Sequence, residues 1–399
     1  MPKPTKKNLL KETIEHIDIT RLNVRKLVDS WRKMSFSSRD TANATDIYNM
    51  MLGDKKTTIW LTLAGSTSAG GCMQVYVDMV KNNMVDCIVA TGASIVDMDF
   101  FEALGFKHYR GTPFINDGIL RSLYIDRIYD TFIDEENLQV CDRVISKIAD
   151  SLEPRAYSSR EFIREMGRYL TKHAKKKNSL VQTAFENNVP IFCPAFIDSS
   201  AGFGLVIHQE KHPENHLTID SIKDFRELTE IKMKSKDTGL FMVGGGVPKN
   251  FAQDTVVCAE VLGKNAPVHK YAVQITVADV RDGACSSSTL KEAASWGKVT
   301  TIYEQMVYAE ATTVVPIIAA YAYQTGNWKK RKKPELAKYH NFHKKEALPP
   351  FSSSLDRKVV RVRVSPPASH RKSYVILSVD SPARLWREPY FDFEGKKNF

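Results

Sequence analysis

Cysteine is scarce in this chain and nowhere paired: six among 399 residues, Cys72, Cys87, Cys141, Cys193, Cys258 and Cys285, none at CxxC spacing. That pattern excludes a disulfide scaffold and a thiolate zinc cluster. Several lie in apolar runs such as DCIVATG and PIFCPAF, where reduced, buried thiols are expected. Long hydrophobic runs are also missing. The most apolar late stretch, residues 312–323, falls short of the about 20 residues that cross a bilayer. The opening MPKPTKKNLLKETIEHIDIT has no signal-peptide core, so the expectation is a cytoplasmic protein without membrane contact.

Charge of one sign is absent from most of the chain. Lys plus Arg number 57 against 46 Asp plus Glu, a net +11. Residues 327–399 hold 18 basic and 7 acidic side chains, so residues 1–326 carry 39 of each and are neutral. A folded nucleic-acid binder needs a basic surplus to displace counterions from phosphates; this body has none. Seven of the 17 prolines also fall after residue 326. The division expected is a body, 1–326, and a basic, Pro-rich extension, 327–399, largely without its own core.

The body is rich in β-branched apolar runs that end in small residues and lead into amphipathic segments. TTIWLTL (57–63) runs into AGSTSAGG, residues 86–89 into ATGAS, 190–196 into IDSSAG, and 239–243 into GGGVPK, with 269–277 as a further run. Such alternation predicts an α/β fold with a parallel sheet covered by helices on both faces. Helices are expected over 135–150 and 158–175, the second capped by Ser158 or Ser159. Another is expected over 306–323 despite Pro316.

The glycine-rich turns sit where a helix N-terminus can hold a phosphate, although neither matches GxGxxG or GxxxxGK[ST]. HQEKHPENH spaces His208, His212 and His216 at i, i+4, i+8. Pro213 interrupts that helix, so a solvated loop without metal is expected. In EAASWGKVT, Lys298 next to Trp296 has the makings of an imine-forming amine against an aromatic wall, but taken alone it reads as a surface lysine after a turn, and Trp296 as ordinary core. The loop holding Asp282, Gly283 and Cys285 follows the strand at 269–277, and a passive thiol is the plain reading of Cys285.

GGGVPK, RDGACSSS, EAASWGK and VYAEATTVVP, in that order, together with LAGSTSAGG, NNMVDCIVATGA and PIFCPAFIDSSAG, resemble the deoxyhypusine synthase family over about residues 10–326. The resemblance implies a Rossmann-like NAD-binding fold, a homotetramer with sites at dimer interfaces, and NAD-dependent passage of an aminobutyl group from spermidine through a lysine imine to an amine. It assigns the imine to Lys298, with Trp296 and Glu292 beside the polyamine. NAD would lie on Gly65, Ser66, Gly70, Thr91, Gly92, Ala93, Asp97, Asp198, Gly245, Val277, Ala278 and Glu310, where Asp97 replaces a family Glu and Glu310 a family Asp.

The polyamine end departs further. A proton-handling His is Asn250 here, and two amine-binding Asp positions fall on Phe203 and Cys285. Amide, phenyl and thiol cannot pair a buried ammonium. The reading is therefore a transferase moving an aminobutyl-type group to an amine, homospermidine synthase-like, with Asp282 and Gly283 also near the substrate. Alternatives are a hydrolase of agmatine or a related guanidino compound using Cys285, deoxyhypusine synthase proper, and an inactive NAD-binding paralogue.

Overall fold

The computed structural model describes residues 4–283, 288–334 and 336. In chain order the main elements are α1 (Phe36–Gly53), β1 (Thr57–Leu63), α2 (Met73–Lys81), β2 (Cys87–Ala90), α3 (Glu135–Asp150), α4 (Ser159–His173), β3 (Ile191–Phe192) and α5 (Ser200–Lys211). They continue with α6 (Ser221–Lys234), β4 (Asp237–Val243), α7 (Gly246–Val261), β5 (His269–Thr276), α8 (Leu290–Ser295), β6 (Val299–Tyr308) and α9 (Ala311–Thr325). The six strands form one sheet in the order β6-β5-β4-β1-β2-β3, every neighbour parallel. This α/β sheet reverses its direction of growth between β1 and β4, and ligands of such sheets bind at the carboxyl ends beside that reversal.

Continuous apolar strands arise because both faces are covered. Successive residues point to opposite faces, and the chain uses both. Ile59, Leu61, Leu63, Phe241 and Val243 join the core under α1, α2 and α9. Trp60, Leu240 and Met242 join a second core with α6, α7 and α8 residues such as Leu228, Ala252 and Ala293. A small antiparallel sheet, His108–Arg110 with Thr131–Asp134 and Ile125–Ile128, is appended. Ser158 does cap α4, in a capping box closed by Glu161.

Two expectations change. Residues 306–308 belong to β6, and the helix starts at Ala311 behind Glu310. β6 escapes a reading by apolar run because it is an edge strand with Thr301, Ile302 and Tyr303 exposed. Nor does packing end at residue 326. Trp328 stacks on Tyr323 at 5.4 Å, Leu336 is buried in the second core, and the Arg331 guanidinium is buried against Asp86.

Asp86 is 2 % exposed as a residue and also accepts from the Ile59 N–H at 2.7 Å. Burial pushes its carboxyl up and the Arg331 charge opposes this. Removing one partner of such a pair strands the other without compensation, typically at about 3–5 kcal/mol. Arg331→Met is expected to lose stability on that scale, while Arg331→Met with Asp86→Leu recovers part of it; urea unfolding of the full chain reads both.

Candidate active site

The turns leaving the strands are tied to one another by backbone bonds. The Ala64 N–H donates to Val243 O at 3.0 Å, Gly244 N–H to Ile275 O at 2.8 Å, and Thr91 N–H to Leu63 O at 3.0 Å. Ser94 Oγ reaches Gly65 O at 3.0 Å. The glycines are there for space. A Cβ on Gly244, whose φ is +75°, would stand 3.2 Å from Ala64 Cβ, and one on Gly92 would strike Ser199 Oγ at 2.7 Å. Gly65 and Gly246 also have positive φ, but a Cβ there would meet nothing within 4 Å. These two line open space in which a ligand can touch backbone.

The residues expected to hold a dinucleotide all follow the carboxyl ends of the strands, spread from Asp198 beyond one edge strand to Glu310 beyond the other. Gly65, Ser66 and Gly70 follow β1, Thr91, Gly92, Ala93 and Asp97 follow β2, and Asp198 follows β3. Gly245 caps α7 with no side-chain hydrogen bond, Val277 and Ala278 follow β5, and Glu310 follows β6. A Cβ on Gly70 would lie 3.3 Å from Thr312 Cγ2, which places the start of α9 beside the first turn. Partial burial works against the charge of Glu310, but donors on Thr312 and Thr313 prevail and hold its carboxyl below the usual range. Burial pushes the Asp97 carboxyl up to about 6 although it accepts from the Ser200 N–H, at 2.7 Å. Open glycine backbone at a helix N-terminus fits a pyrophosphate, so these residues suit NAD.

The amine-processing candidates divide. Lys298 lies just before β6, where its carbonyl accepts from the His269 N–H at 2.9 Å, at the amino end of β5 rather than in the crevice. Its Nζ is 2.5 Å from Asp254 Oδ1 on α7 and 5.4 Å from the centre of the Trp296 ring. Asn250 is exposed one helical turn from Asp254. Glu292 is engaged in a capping box, accepting from the Thr289 N–H at 2.6 Å. Asp282 and Gly283 are exposed in the loop after β5; Cys285 lies outside the described residues. Phe203, 67 % exposed, stands on α5 beyond β3. β3 and β6 are opposite edges of the sheet, about 24 Å apart at five strand spacings, so one chain does not unite Phe203 with Lys298.

Asp254 and Lys249 were not singled out in the sequence. Asp254 gave no signal, being an acidic residue on an amphipathic helix. Lys249 is fully buried and donates to Ser288 O. Burial pushes its amine down to about 8, aided by the Lys298 charge and opposed by Glu292.

The three histidines form no common face, because α5 ends at Lys211. Asp150, His208 and His212 do bring ligand atoms within 4.8 Å of one another. His208 Nδ1 already contacts Asp150 at 2.7 Å, and its Nε2 accepts from the Leu217 N–H at 3.2 Å. A metal on Nδ1 would leave no ring proton at all, an imidazolate, which the arrangement does not favour.

A family model described as deoxyhypusine synthase matches residues 26–322. A deoxyhypusine synthase-like protein of Coxiella burnetii is 68% identical over 343 residues, 86% of this chain and 97% of the relative. One of Caulobacter vibrioides is 67% identical over 344 residues, 85% of this chain and 93% of the relative. A solved candidate deoxyhypusine synthase of Entamoeba histolytica superposes with TM-score 0.53 at 21% identity, covering 80% of this chain and 99% of that one, a likeness of fold. Among the described residues no helix is long and apolar enough to cross a membrane.

Lys249 sets a pH dependence. Its folded pKa of about 8 lies below the ordinary 10.5, so between these values the unfolded chain holds a proton the folded chain has released. Stability from this group therefore rises with pH across 8 to 10.5, by at most about 3 kcal/mol, and the burial cost is fully present below pH 8. Lys249→Met should flatten that rise, read as urea midpoints from pH 7.5 to 10.

Proposed function

Since the chain belongs to the deoxyhypusine synthase family, we propose that it is an NAD-dependent transferase. It moves an aminobutyl-type group from a polyamine, through an imine on Lys298, to a small amine. One observation carries this reading: the Lys298 amine stands between a carboxylate and an indole face, in a chain whose strand ends form a glycine-lined crevice.

Gly65, Ser66, Gly70 and Gly245 would hold the pyrophosphate of NAD, with Thr91, Gly92, Ala93, Asp97, Asp198, Val277, Ala278 and Glu310 around its remainder. Bound there, NAD would supply a hydride acceptor for the carbon beside a donor amine and would return the hydride once the acceptor amine has taken that carbon from Lys298, so that the transfer is redox-neutral overall. Lys298 Nζ then forms a new C=N bond to that carbon, and the former C–N bond breaks as the leaving amine departs with its protons. Trp296 offers a π-face to a cationic amine. Glu292 can turn from its cap to an ammonium, since it is exposed. Asn250 has no titratable nitrogen and cannot relay a proton as an imidazole would. Phe203 cannot pair an ammonium. Both differences weigh against deoxyhypusine synthase proper and for a small-amine acceptor in the manner of homospermidine synthase. Within one chain Lys298 stands at the amino end of β5, opposite the crevice for NAD, and Phe203 lies beyond the far edge of the sheet, so a second copy would have to bring its crevice to Lys298, as in a tetramer.

Incubation with NAD and spermidine, putrescine or agmatine, followed by borohydride, tests this. A reduced adduct on Lys298, found by peptide mass spectrometry and lost in Lys298→Arg, is expected. No Lys298 adduct with any of the three amines would overturn the proposal.

A further inference from the structure

The ion pair of Lys298 with Asp254 is lopsided. The lysine side chain is 12 % exposed and that of Asp254 is 41 %. A solute can reach the carboxylate but hardly the amine. Among the described residues, Lys249 on α7 feels both Lys298 and Glu292 on α8, so with Asp254 these groups make two positive and two negative side chains. Trp296, itself 69 % exposed, stands beside Nζ and leaves the same approach open. While paired as an ammonium, Nζ has no lone pair with which to attack carbon.

We propose that Asp254 is an exchange site for one ammonium group of a di- or polyamine, which takes over the carboxylate and thereby frees Lys298 to act as the nucleophile. This rests on the reading of Lys298 as the imine-forming residue. Once a substrate ammonium occupies Asp254, Nζ has lost its counter-ion and faces a further positive charge beside that of Lys249. Like charges disfavour the charged form, and Nζ gives its proton to water. One ammonium enters at Asp254, one proton leaves Nζ, and the exchange leaves the charge of the cluster unchanged. The arrangement selects substrates with at least two nitrogens, an ammonium to hold Asp254 and a second, deprotonated amine on the carbon that reacts. A monoamine cannot fill both roles.

The test needs neither NAD nor turnover. Lys298 is labelled with butanal and cyanoborohydride at pH 7.5, and the labelled peptide is quantified by mass spectrometry. The probe is N,N,N′,N′-tetramethylputrescine, a dication that cannot form an imine, with tetramethylammonium at matched ionic strength as the control. In the native chain the dication is expected to speed labelling roughly tenfold; tetramethylammonium, which has no N–H to donate to the carboxylate in place of Nζ, should not. Asp254→Asn should label faster without any addition and no longer respond to the dication. An unchanged or slowed native rate with the dication overturns the proposal, as does an Asp254→Asn chain that labels at the native rate. Should Asp254→Asn melt well below the native chain, the dication arm on the native protein decides alone. Dication-stimulated labelling without a borohydride-trapped polyamine adduct would sink the transferase reading and leave the exchange standing; an adduct without stimulation would do the reverse.

Discussion

At the centre of the sheet β1 and β4 pair in register over seven residues, Thr57 with Asp237 through Leu63 with Val243. Beyond the last pair the two chains must part, because one turn leads to α2 and the other to α7. They remain in van der Waals contact as they do so, with Ala64 against Gly244 and the Ala64 N–H still donating to Val243 O. Only a residue without Cβ and with positive φ can leave β4 there. The neighbouring turns hang on this contact, Thr91 through Leu63 and Gly244 through Ile275. The crevice is thus a consequence of parallel pairing at the reversal of strand order, and α7 is aimed by the same turn that opens it.

Buried charges hold the periphery onto this centre. Glu102, 4 % exposed, is met by His16 from the N-terminal arm at 2.9 Å, by His108 from the antiparallel sheet at 2.7 Å and by Lys176. Hydrogen bonds from His108 and His16 overcome its burial and hold its carboxyl well below the usual range. Asp86 does the same for Arg331. Lys232 contrasts with both. Fully buried, it donates to Thr238 at 2.9 Å, and burial pushes its amine down to about 7. In the first two cases a carboxylate satisfies hydrogen-bond donors from distant segments; in the third a hydroxyl accepts from an amine whose charge is poorly tolerated.

What was legible in the sequence follows from which residues tolerate no alternative. TTIWLTL could be read as a doubly covered strand because every position is buried, and the glycine turns because a close neighbour or a positive φ disfavours a Cβ. β6 was illegible because an edge strand need satisfy only one side, and its exposed Thr301, Ile302 and Tyr303 break the apolar run. The pairing of Asp86 with Arg331 joins residues 245 positions apart, beyond any local pattern. At the site, Trp296 and Lys298 stood out by type. Asp254 did not, because an acidic residue on an amphipathic helix is usually a solvated one, and only the lysine arriving from the far side of α8 distinguishes it.

A neutral body is no obstacle to recognising cationic amines. Charges beyond a Debye length, about 8–10 Å at ordinary salt, are largely screened, so the balance over residues 1–326 says little about a site, and the surplus on residues 327–399 says less. Under the proposed function, the local balance is what a polyamine would meet: Asp254 and Glu292 against Lys249 and Lys298. A site already neutral has no vacancy for a dication unless a cation is displaced or a proton released. Asn250, where an imidazole could have carried a proton, contributes neither. The carboxylate one turn further along α7 is therefore the group through which charge can be exchanged without leaving an ion uncompensated.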